Sequence, residues 1–511
     1  MPSRRTPARS LLPEAARATL ATALPRLTHA ALDGLDAALL FVPAAGAPQA
    51  LAKLPFGALL VKQYERAERA AGSCFVATVP TSSQGSIAIG LVPEDAAPFA
   101  LLELAGSMTR AIRVGETRTL GVAASGLPAG LEQACIEAGT AAAWAAAFAL
   151  PAFKSRPAEA ARLSKIVPIT RHALPARRLA VVAEAGDLVR WLTGLPPDRL
   201  HPAGFRRLAE RIARRHGLQA RFYGEAQLRR LGAGAFLAVA RGSARRDAGI
   251  LHLRYRPRGA ARGAPIALVG KGLCFDTGGT NLKSHKSMLD MHTDMAGSAV
   301  ALASLVALSQ LRYRRPVDAW LALAENRIGP EAYQPQDVVT TANGTTIQVI
   351  HTDAEGRMVL ADTLALASRS KPVAIIDFAT LTGSCVRALT ERYSGAFPSR
   401  EDWRAPVERA GRDSGERVWC FPADPDFDRE LESKVADLIQ CTVDGKGDHI
   451  YAARFLRRFV GKDIPWLHVD LSAAMRTGGL AHVPTDITGF GVRFLASLLL
   501  DQTLPGMDGR G

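Results

Sequence analysis

Two stretches of this 511-residue chain concentrate side chains that could do chemistry. The first, Val269 to Gly297, carries Lys271, Asp276, Lys283, Asp290, His292 and Asp294. Within it, Gly278-Gly279 lets the backbone turn sharply or approach a ligand closely. The second, His351 to Arg357, reads His-Thr-Asp-Ala-Glu-Gly-Arg and follows the β-rich run Thr345 to Ile350. In an extended segment residues two apart share a face, so Asp353 and Glu355 project together, with Arg357 on the same side if the extension persists. Two carboxylates converging in a buried loop repel each other unless a cation lies between them. Hard divalent ions, or zinc accepting oxygen ligands, supply that charge. Taken alone an Asp-x-Glu is a common surface coincidence, and its pairing with the first stretch is what points to a metal site. Asp290 reads as an acid favouring the helix that follows. Neither the P-loop pattern nor the dinucleotide-binding glycine pattern occurs, which sets nucleotide binding aside.

The elements that must position these residues alternate. Strand-like runs appear at Gly249–Tyr255, Pro265–Val269, Ala319–Ala324, Ala374–Phe378 and Trp466–Leu471, with helical patterns between them at Ala203–His216, Ala296–Leu308, Met358–Ala367 and Asp448–Phe459. Such alternation predicts an α/β fold with a central, mostly parallel sheet flanked by helices, and sites in such sheets form where loops leave the carboxyl ends of strands. Earlier in the chain, apolar runs at Ala38–Pro43 and Ser86–Val92 and an Ala-rich helical stretch at Leu131–Ala149 suggest a small N-terminal α/β domain. Pro168–Arg178 lacks apolar periodicity and is the linker candidate; a helix then runs through Ala183–Leu195 and stops at Pro196-Pro197. The expected division is 1–175 for the N-terminal domain, 176–200 for linker and interdomain helix, and 201–511 for the catalytic domain.

Composition bounds the rest. With 48% hydrophobic and 22% charged residues the chain is of a soluble globular type. No apolar run approaches the ~18 residues of a spanning helix, so no membrane is expected. Arg4, Arg5 and Arg9 invite a transit-peptide reading, but Ala and Arg abound throughout, and Pro13, Glu14 and Arg17 interrupt any secretory apolar segment; the default compartment is the cytoplasm. The six cysteines form no metal-binding spacing and are expected reduced and mostly buried. The formal charge is +15, and its excess is local: residues 151–250 hold 20 Lys and Arg against 7 Asp and Glu. That arginine cluster, Arg206 through Arg246, is either a solvated helical face or a patch for nucleic acid or another partner; stacking aromatics are too few for single-strand recognition.

The motifs resemble the leucine aminopeptidase family of dinuclear metallopeptidases. Its first block is matched by Lys271, Asp276, Gly278, Gly279, Lys283 and Asp294, and its Asn-Thr-Asp-Ala-Glu-Gly-Arg-Leu signature by His351 to Met358. Ala379–Ser384, Ser414–Trp419, Ser433–Leu438 and Pro465–Leu471 continue the similarity, which covers roughly residues 185–495. The resemblance implies two divalent metals, zinc or manganese foremost, with Asp276 and Glu355 bridging them, Asp353 completing one and Lys271 with Asp294 the other. A ligand lysine must be neutral, which implies a depressed pKa for Lys271 beside two cations. It further implies a metal-bridging water as nucleophile, Lys283 polarising the scissile carbonyl, and Arg357 holding a bicarbonate that shuttles protons. Leu381 and Gly383 would offer backbone groups to a peptide substrate, with Met291, Thr380 and Ala474 as pocket walls. Family members form hexamers.

Departures are His351 for asparagine, Met358 for leucine, His292 where many relatives carry Lys or Arg, and the segment Asp448–Ala453, usually built of small residues. His292 could tune hydrogen bonding behind Asp294 or act as an alternative ligand. The leading expectation is release of N-terminal residues, leucine and other apolar ones first, from peptides. The alternatives are nucleic-acid binding through residues 151–250, with or without that activity, and a catalytically dead scaffold, which the intact ligand positions disfavour.

Overall fold

A computed structural model describes residue 12 and residues 17–67, 70–82, 84–155, 161–257 and 263–507. Arg4, Arg5 and Arg9, on which a targeting segment would rest, lie outside the described residues.

The first sheet is built from β1 (Thr19–Leu20), β2 (Ala37–Pro43), β3 (Cys74–Thr78), β4 (Ser86–Val92), β5 (Thr119–Ala124) and β6 (Lys165–Ile169) in the order β1-β6-β5-β2-β4-β3. Only β3 runs antiparallel to its neighbour. The apolar runs expected as strands are β2 and β4, and they are apolar almost throughout because both faces are covered. Leu39, Phe41 and Val122 pack with the helices Pro98–Ala111 (α1) and Ala129–Ala147 (α2), while Leu40, Val42 and Ile89 face Leu51 and Leu60 on the other side.

The linker expected over Pro168–Arg178 is shorter than its composition suggested: only residues 170–175 lie outside strand and helix. β6 continues to Ile169, with Pro168 in register with Val122, and the next helix, Ala176–Thr193 (α3), starts seven residues before the expected Ala183. A proline is tolerated there because its carbonyl faces the β1 side, where it accepts from the Leu24 N–H at 2.9 Å. Its missing N–H therefore points to the side where β1 is only two residues long, and little pairing is lost.

The second sheet has eight strands: β7 (Gln219–Gly224), β8 (Gly249–Tyr255), β9 (Ile266–Asp276), β10 (Val317–Asn326), β11 (Ala374–Ala379), β12 (Ser394–Pro398), β13 (Val418–Cys420) and β14 (Trp466–Asp470), ordered β13-β12-β14-β11-β9-β10-β8-β7. The central β14, β11, β9 and β10 are mutually parallel; β12 and β8 flank them antiparallel. One face packs on α3, Pro202–Arg215 (α4) and Ala296–Gln310 (α5), the other on Glu355–Ser368 (α6) and Asp448–Arg457 (α7). The expected mostly parallel sheet between helices is therefore present. The stretch His285–Gln310 contains a window apolar enough to span a bilayer, but 89% of that window is buried inside the protein. Its long helical part is α5, in the core of the second sheet.

Two backbone details fix the site. α5 presses onto the sheet through Gly297 and Gly270: a Cβ on Gly297 would lie 2.1 Å from the Phe378 carbonyl oxygen, and one on Gly270 2.5 Å from that of Gly297. In β9, Lys271 lies opposite Ala322, Leu273 opposite Ala324 and Asp276 opposite Asn326, so β9 uses three residues where β10 uses two. Lys271 and Asp276, five apart, would point to opposite faces of a regular strand. The extra residue of this bulge brings them to partner positions four apart, and so to one side.

All six cysteines are free, five of them buried and Cys74 partly so. Gly297→Ala is expected to lower stability by about 1–3 kcal/mol through overpacking, read as a lower urea midpoint at unchanged slope. Gly186→Ala, in mid-α3 where an added Cβ meets nothing within 4 Å, is expected to raise stability by about 0.5–1 kcal/mol.

Candidate metal centre

The central strands deliver their chemistry at one edge. Asp276 ends β9, Asn326 ends β10, Thr380 and Leu381 follow β11, and Asp470 ends β14. Asp353 and Glu355 arrive from the other side, at the entry to α6. Glu355 is the first residue of that helix, so the extended geometry expected over 351–357 stops there, and Arg357 is a helical residue. The two carboxylates still converge, because the turn at Ala354 precedes a helix start rather than because of strand alternation. Oxygens of Asp276, Asp353 and Glu355 all lie within 4.8 Å of one another.

Two ammonium groups are threaded through these carboxylates. Lys271 Nζ is 2.7 Å from Asp294 Oδ1 and 3.0 Å from Glu355 Oε1, and donates to the Thr380 carbonyl at 2.9 Å. Lys283 Nζ is 2.8 Å from Asp276 Oδ2 and also pairs with Asp353. Four carboxylates against two lysines leave two negative charges in excess in a pocket where Lys271, Asp276, Asp294 and Glu355 are all buried. Burial and then the charge of Asp276 raise the Glu355 carboxyl to about 7. Burial raises Asp294 to about 7, against the pull of Lys271, and Asp353 to about 6, with Asp276 adding to it. Burial opposes the charge on Lys271, but Asp294, Glu355 and Asp276 outweigh it and hold the ammonium above its ordinary range. The depressed Lys271 pKa expected from the sequence is thus the reverse of what the protein groups alone impose; only added cations would lower it.

The donor set fits divalent cations. Asp294 Oδ2 and Glu355 Oε2 are buried carboxylate oxygens with no hydrogen-bond partner, and buried anionic oxygens of that kind are costly unless a cation takes them. Neutral groups aim the rest. Asp276 Oδ1 accepts from Gly278 N and Asn326 Nδ2, both at 2.8 Å. The Thr352 hydroxyl donates to the Gly278 carbonyl at 2.6 Å, and its carbonyl accepts from Tyr333 Oη at 2.7 Å. Gly278 and Gly279 take φ of +85° and +65° there, as the turn requires. Thr380 Oγ1 donates to Asp294 Oδ1 at 2.7 Å. Asp470 accepts from Leu381 N at 3.1 Å and Thr382 Oγ1 at 2.7 Å, so of the Leu381 backbone groups the N–H is committed to Asp470.

Other expected residues are placed as follows. Met291 lies in the short turn Met291–Thr293, Ala474 is buried, and Gly383 is exposed at the start of a short helix capped by Thr382. Asp290 stands outside the carboxylate cluster, before that turn. Among the described residues His292 makes no hydrogen bond or ion pair, and burial lowers its pKa. The His351 ring accepts from Asp353 N at 3.3 Å. Asn326, Thr352, Tyr333, Asp448 and Asp470 were missed as site residues. Asn326 lies two residues beyond the expected end of its strand, while Asp470 and Asp448 stood inside segments already singled out.

Buried Arg357 commits two of its five N–H groups within the protein. One terminal nitrogen donates to the Gln440 carbonyl at 3.1 Å, the other to Asp448 Oδ2 at 2.7 Å. Of the arginine cluster, Arg206 pairs with Glu210 and covers the Phe222 ring, Arg221 lies over Tyr223, Arg241 pairs with Asp337 and Arg246 with Glu225. These arginines are internally engaged, and nothing adds to the nucleic-acid reading.

A buried carboxylate-and-lysine cluster at the carboxyl edge of a parallel sheet is a candidate metal centre on an α/β scaffold. The model of the cytosol aminopeptidase family, catalytic domain, matches residues 187–496, and the chain belongs to that family. It is 40% identical over 323 residues to a probable cytosol aminopeptidase of Corynebacterium glutamicum, a match covering 63% of this chain and 64% of that protein. It is 38% identical over 333 residues to one of Methylorubrum extorquens, covering 64% and 65%. The matches thus span less than two thirds of these relatives. Among solved structures, the bottromycin maturation enzyme BotP in complex with Mn superposes with a TM-score of 0.78 at 31% identity, covering 91% of this chain and 98% of that one. A tomato leucine aminopeptidase mutant gives 0.84 at 26%, covering 96% and 97%.

Metal should bind in competition with protons. A carboxyl raised from its ordinary value to about 7 keeps its proton longer in the folded state, so metal-free stability falls as pH rises toward 7. The gain in melting temperature on adding Mn²⁺ is therefore expected to widen from pH 5 to pH 8 (about 2.7 kcal/mol when the ion is ~100-fold above its Kd), and Glu355→Gln should remove most of it. A gain that does not change with pH would contradict this.

Proposed function

We propose that this protein is a metal-dependent aminopeptidase that releases N-terminal residues, leucine and other apolar ones foremost, from peptides. The observation that carries the reading is a buried cluster of four carboxyl groups against two lysines in which Asp294 Oδ2 and Glu355 Oε2 face no protein donor. Asp276 and Glu355 would bridge two ions, Asp353 would complete one, and Lys271 with Asp294 the other; oxygen-rich donors with one nitrogen suit zinc or manganese. When bound, such a pair supplies Lewis acidity and an acidified water. The protein's own groups then orient and stabilise. Lys283, anchored on Asp276 and Asp353, carries a charge able to polarise the scissile carbonyl. The loop Thr380–Gly383, fixed by Asp470, would line the substrate site with Met291 and Ala474. A requirement for a free amino terminus follows if the carboxylates also hold the substrate ammonium.

Arg357 fits bicarbonate poorly, because each terminal nitrogen already donates to a protein oxygen and one of those oxygens belongs to the Asp448 carboxylate, a like charge standing beside the guanidinium, and no proton transfer is routed through that ion. The division into an N-terminal domain over 1–175, a connecting helix within 176–200 and a catalytic domain from 201 is supported by the two separate sheets. Cytoplasmic location and assembly into a hexamer rest on the resemblance to relatives.

The test is hydrolysis of aminoacyl anilides. Chelation should abolish activity, Mn²⁺ or Zn²⁺ should restore it, and Asp353→Ala and Lys283→Ala should each lower kcat/KM by about 100-fold or more. Equal cleavage of N-acetylated substrates, or activity surviving chelation, would sink the assignment.

A further inference from the structure

The strongest unassigned feature beside the centre is the pair formed by Arg357 and Asp448. Arg357, two residues after Glu355 in the first turn of α6, is 2% exposed. Of its three nitrogens, Nε is buried without a partner, one terminal nitrogen donates to the Gln440 carbonyl and the other to Asp448 Oδ2. Asp448, the first residue of α7, keeps its other oxygen, Oδ1, buried with no hydrogen-bond partner. The neighbourhood is that of the metal centre: Gln440, whose carbonyl accepts from Arg357, donates through Nε2 to the Ala354 carbonyl at 3.3 Å and accepts through Oε1 from the His351 N–H at 3.0 Å. An acid in the first turn of a helix is commonplace. One that reaches a buried guanidinium beside a metal site, with a second oxygen sealed from solvent, fills the position of a small planar oxyanion.

We propose that Asp448 is the resident anion of Arg357: its carboxylate takes the seat that a bicarbonate-like ion would occupy, and the protein works without such an ion. The physical case is exclusion as well as occupancy. Asp448 takes one terminal N–H through Oδ2 and keeps Oδ1 in the same neighbourhood, so a carbonate group, which seeks guanidinium donors of the same kind, would have to compete with it there. A free anion entering beside Asp448 would meet a like charge in a buried pocket, where repulsion is weakly screened. Tethering also removes the entropic cost of recruiting a free ion. Asp448 is thereby a positioning group, holding Arg357 neutralised and fixed next to Glu355.

The inference rests on the metal-centre reading for its setting, but its first test needs no peptidase activity. The full chain, metal-loaded and metal-free, is titrated with ¹³C-bicarbonate and line broadening is followed by NMR. Wild type is expected to show none above a control protein. Asp448→Gly, which empties the seat, should broaden the label by about fivefold or more, and the further change Arg357→Met should abolish this, since the fork supplies the charge-assisted bonds. Asp448→Ala, which keeps a helix-forming residue, serves if the glycine variant melts prematurely. In the anilide assay, wild-type rates should stay within about twofold between CO₂-stripped and bicarbonate buffer, while the variant should lose about tenfold or more and recover with bicarbonate. Wild type that binds the label in an Arg357-dependent way, or folded Asp448 variants that take up none, would overturn the proposal. If no protein form hydrolyses anilides, the functional assignment fails while the NMR result still decides the seat.

Discussion

Four carboxylates and two ammonium groups confined to one buried pocket are the constraint on which the rest of the structure turns. Each carboxylate repels the others, and burial deprives all of them of the water that would soften that repulsion. Such a set holds together only if the backbones that carry it cannot relax. The scaffold meets this with the most rigid parts it has. β9 is a doubly covered central strand, α5 sits at glycine contact distance on it, and α6 begins at Glu355 itself. Strain that would open a loop is thus resisted by the hydrophobic core on both faces of the sheet.

The groups behind the charged residues are mostly uncharged, and that choice follows from the same constraint. Asn326, Thr352, Tyr333 and Thr380 aim carboxylates or the turn that carries them without adding to the charge imbalance. A lysine or arginine in those places would neutralise the pocket and weaken its attraction for cations; a further acid would deepen the repulsion. Asp470 is the exception, and it is spent on backbone amides and a hydroxyl of the loop after β11 rather than pointed at the cluster.

Much of this was legible in the sequence, for reasons that can be named. The expected strand Ala319–Ala324 falls within β10 because doubly buried strands are written as unbroken apolar runs, and α5 was legible because apolar residues dominate it from Ala296. The charged site residues were legible because acids and lysines beside buried strands are rare. What was not legible depended on geometry that no local pattern encodes. The helix start at Glu355 is set by packing, since Ala354 gives no side-chain cap. Pro168 reads as a linker residue, yet it is tolerated in β6 because its neighbour strand is too short to need its N–H. The neutral frame was invisible because Asn, Thr and Tyr are ordinary in any fold. The partner of Arg357 lies 91 residues away in sequence, so only the fold could reveal that a carboxylate already stands beside it.

The bulge in β9 has a consequence for how this chain can change. Lys271 and Asp276 share a side only because one additional residue separates them, and that residue is specified by number rather than by kind. Cys274 and Phe275 occupy the irregular segment, and neither supplies a group to the cluster. The segment should therefore accept many substitutions over evolutionary time and no change of length: removal of a single codon there would rotate Asp276 through the sheet and dismantle the site, while leaving the hydrophobic pattern of the strand nearly intact.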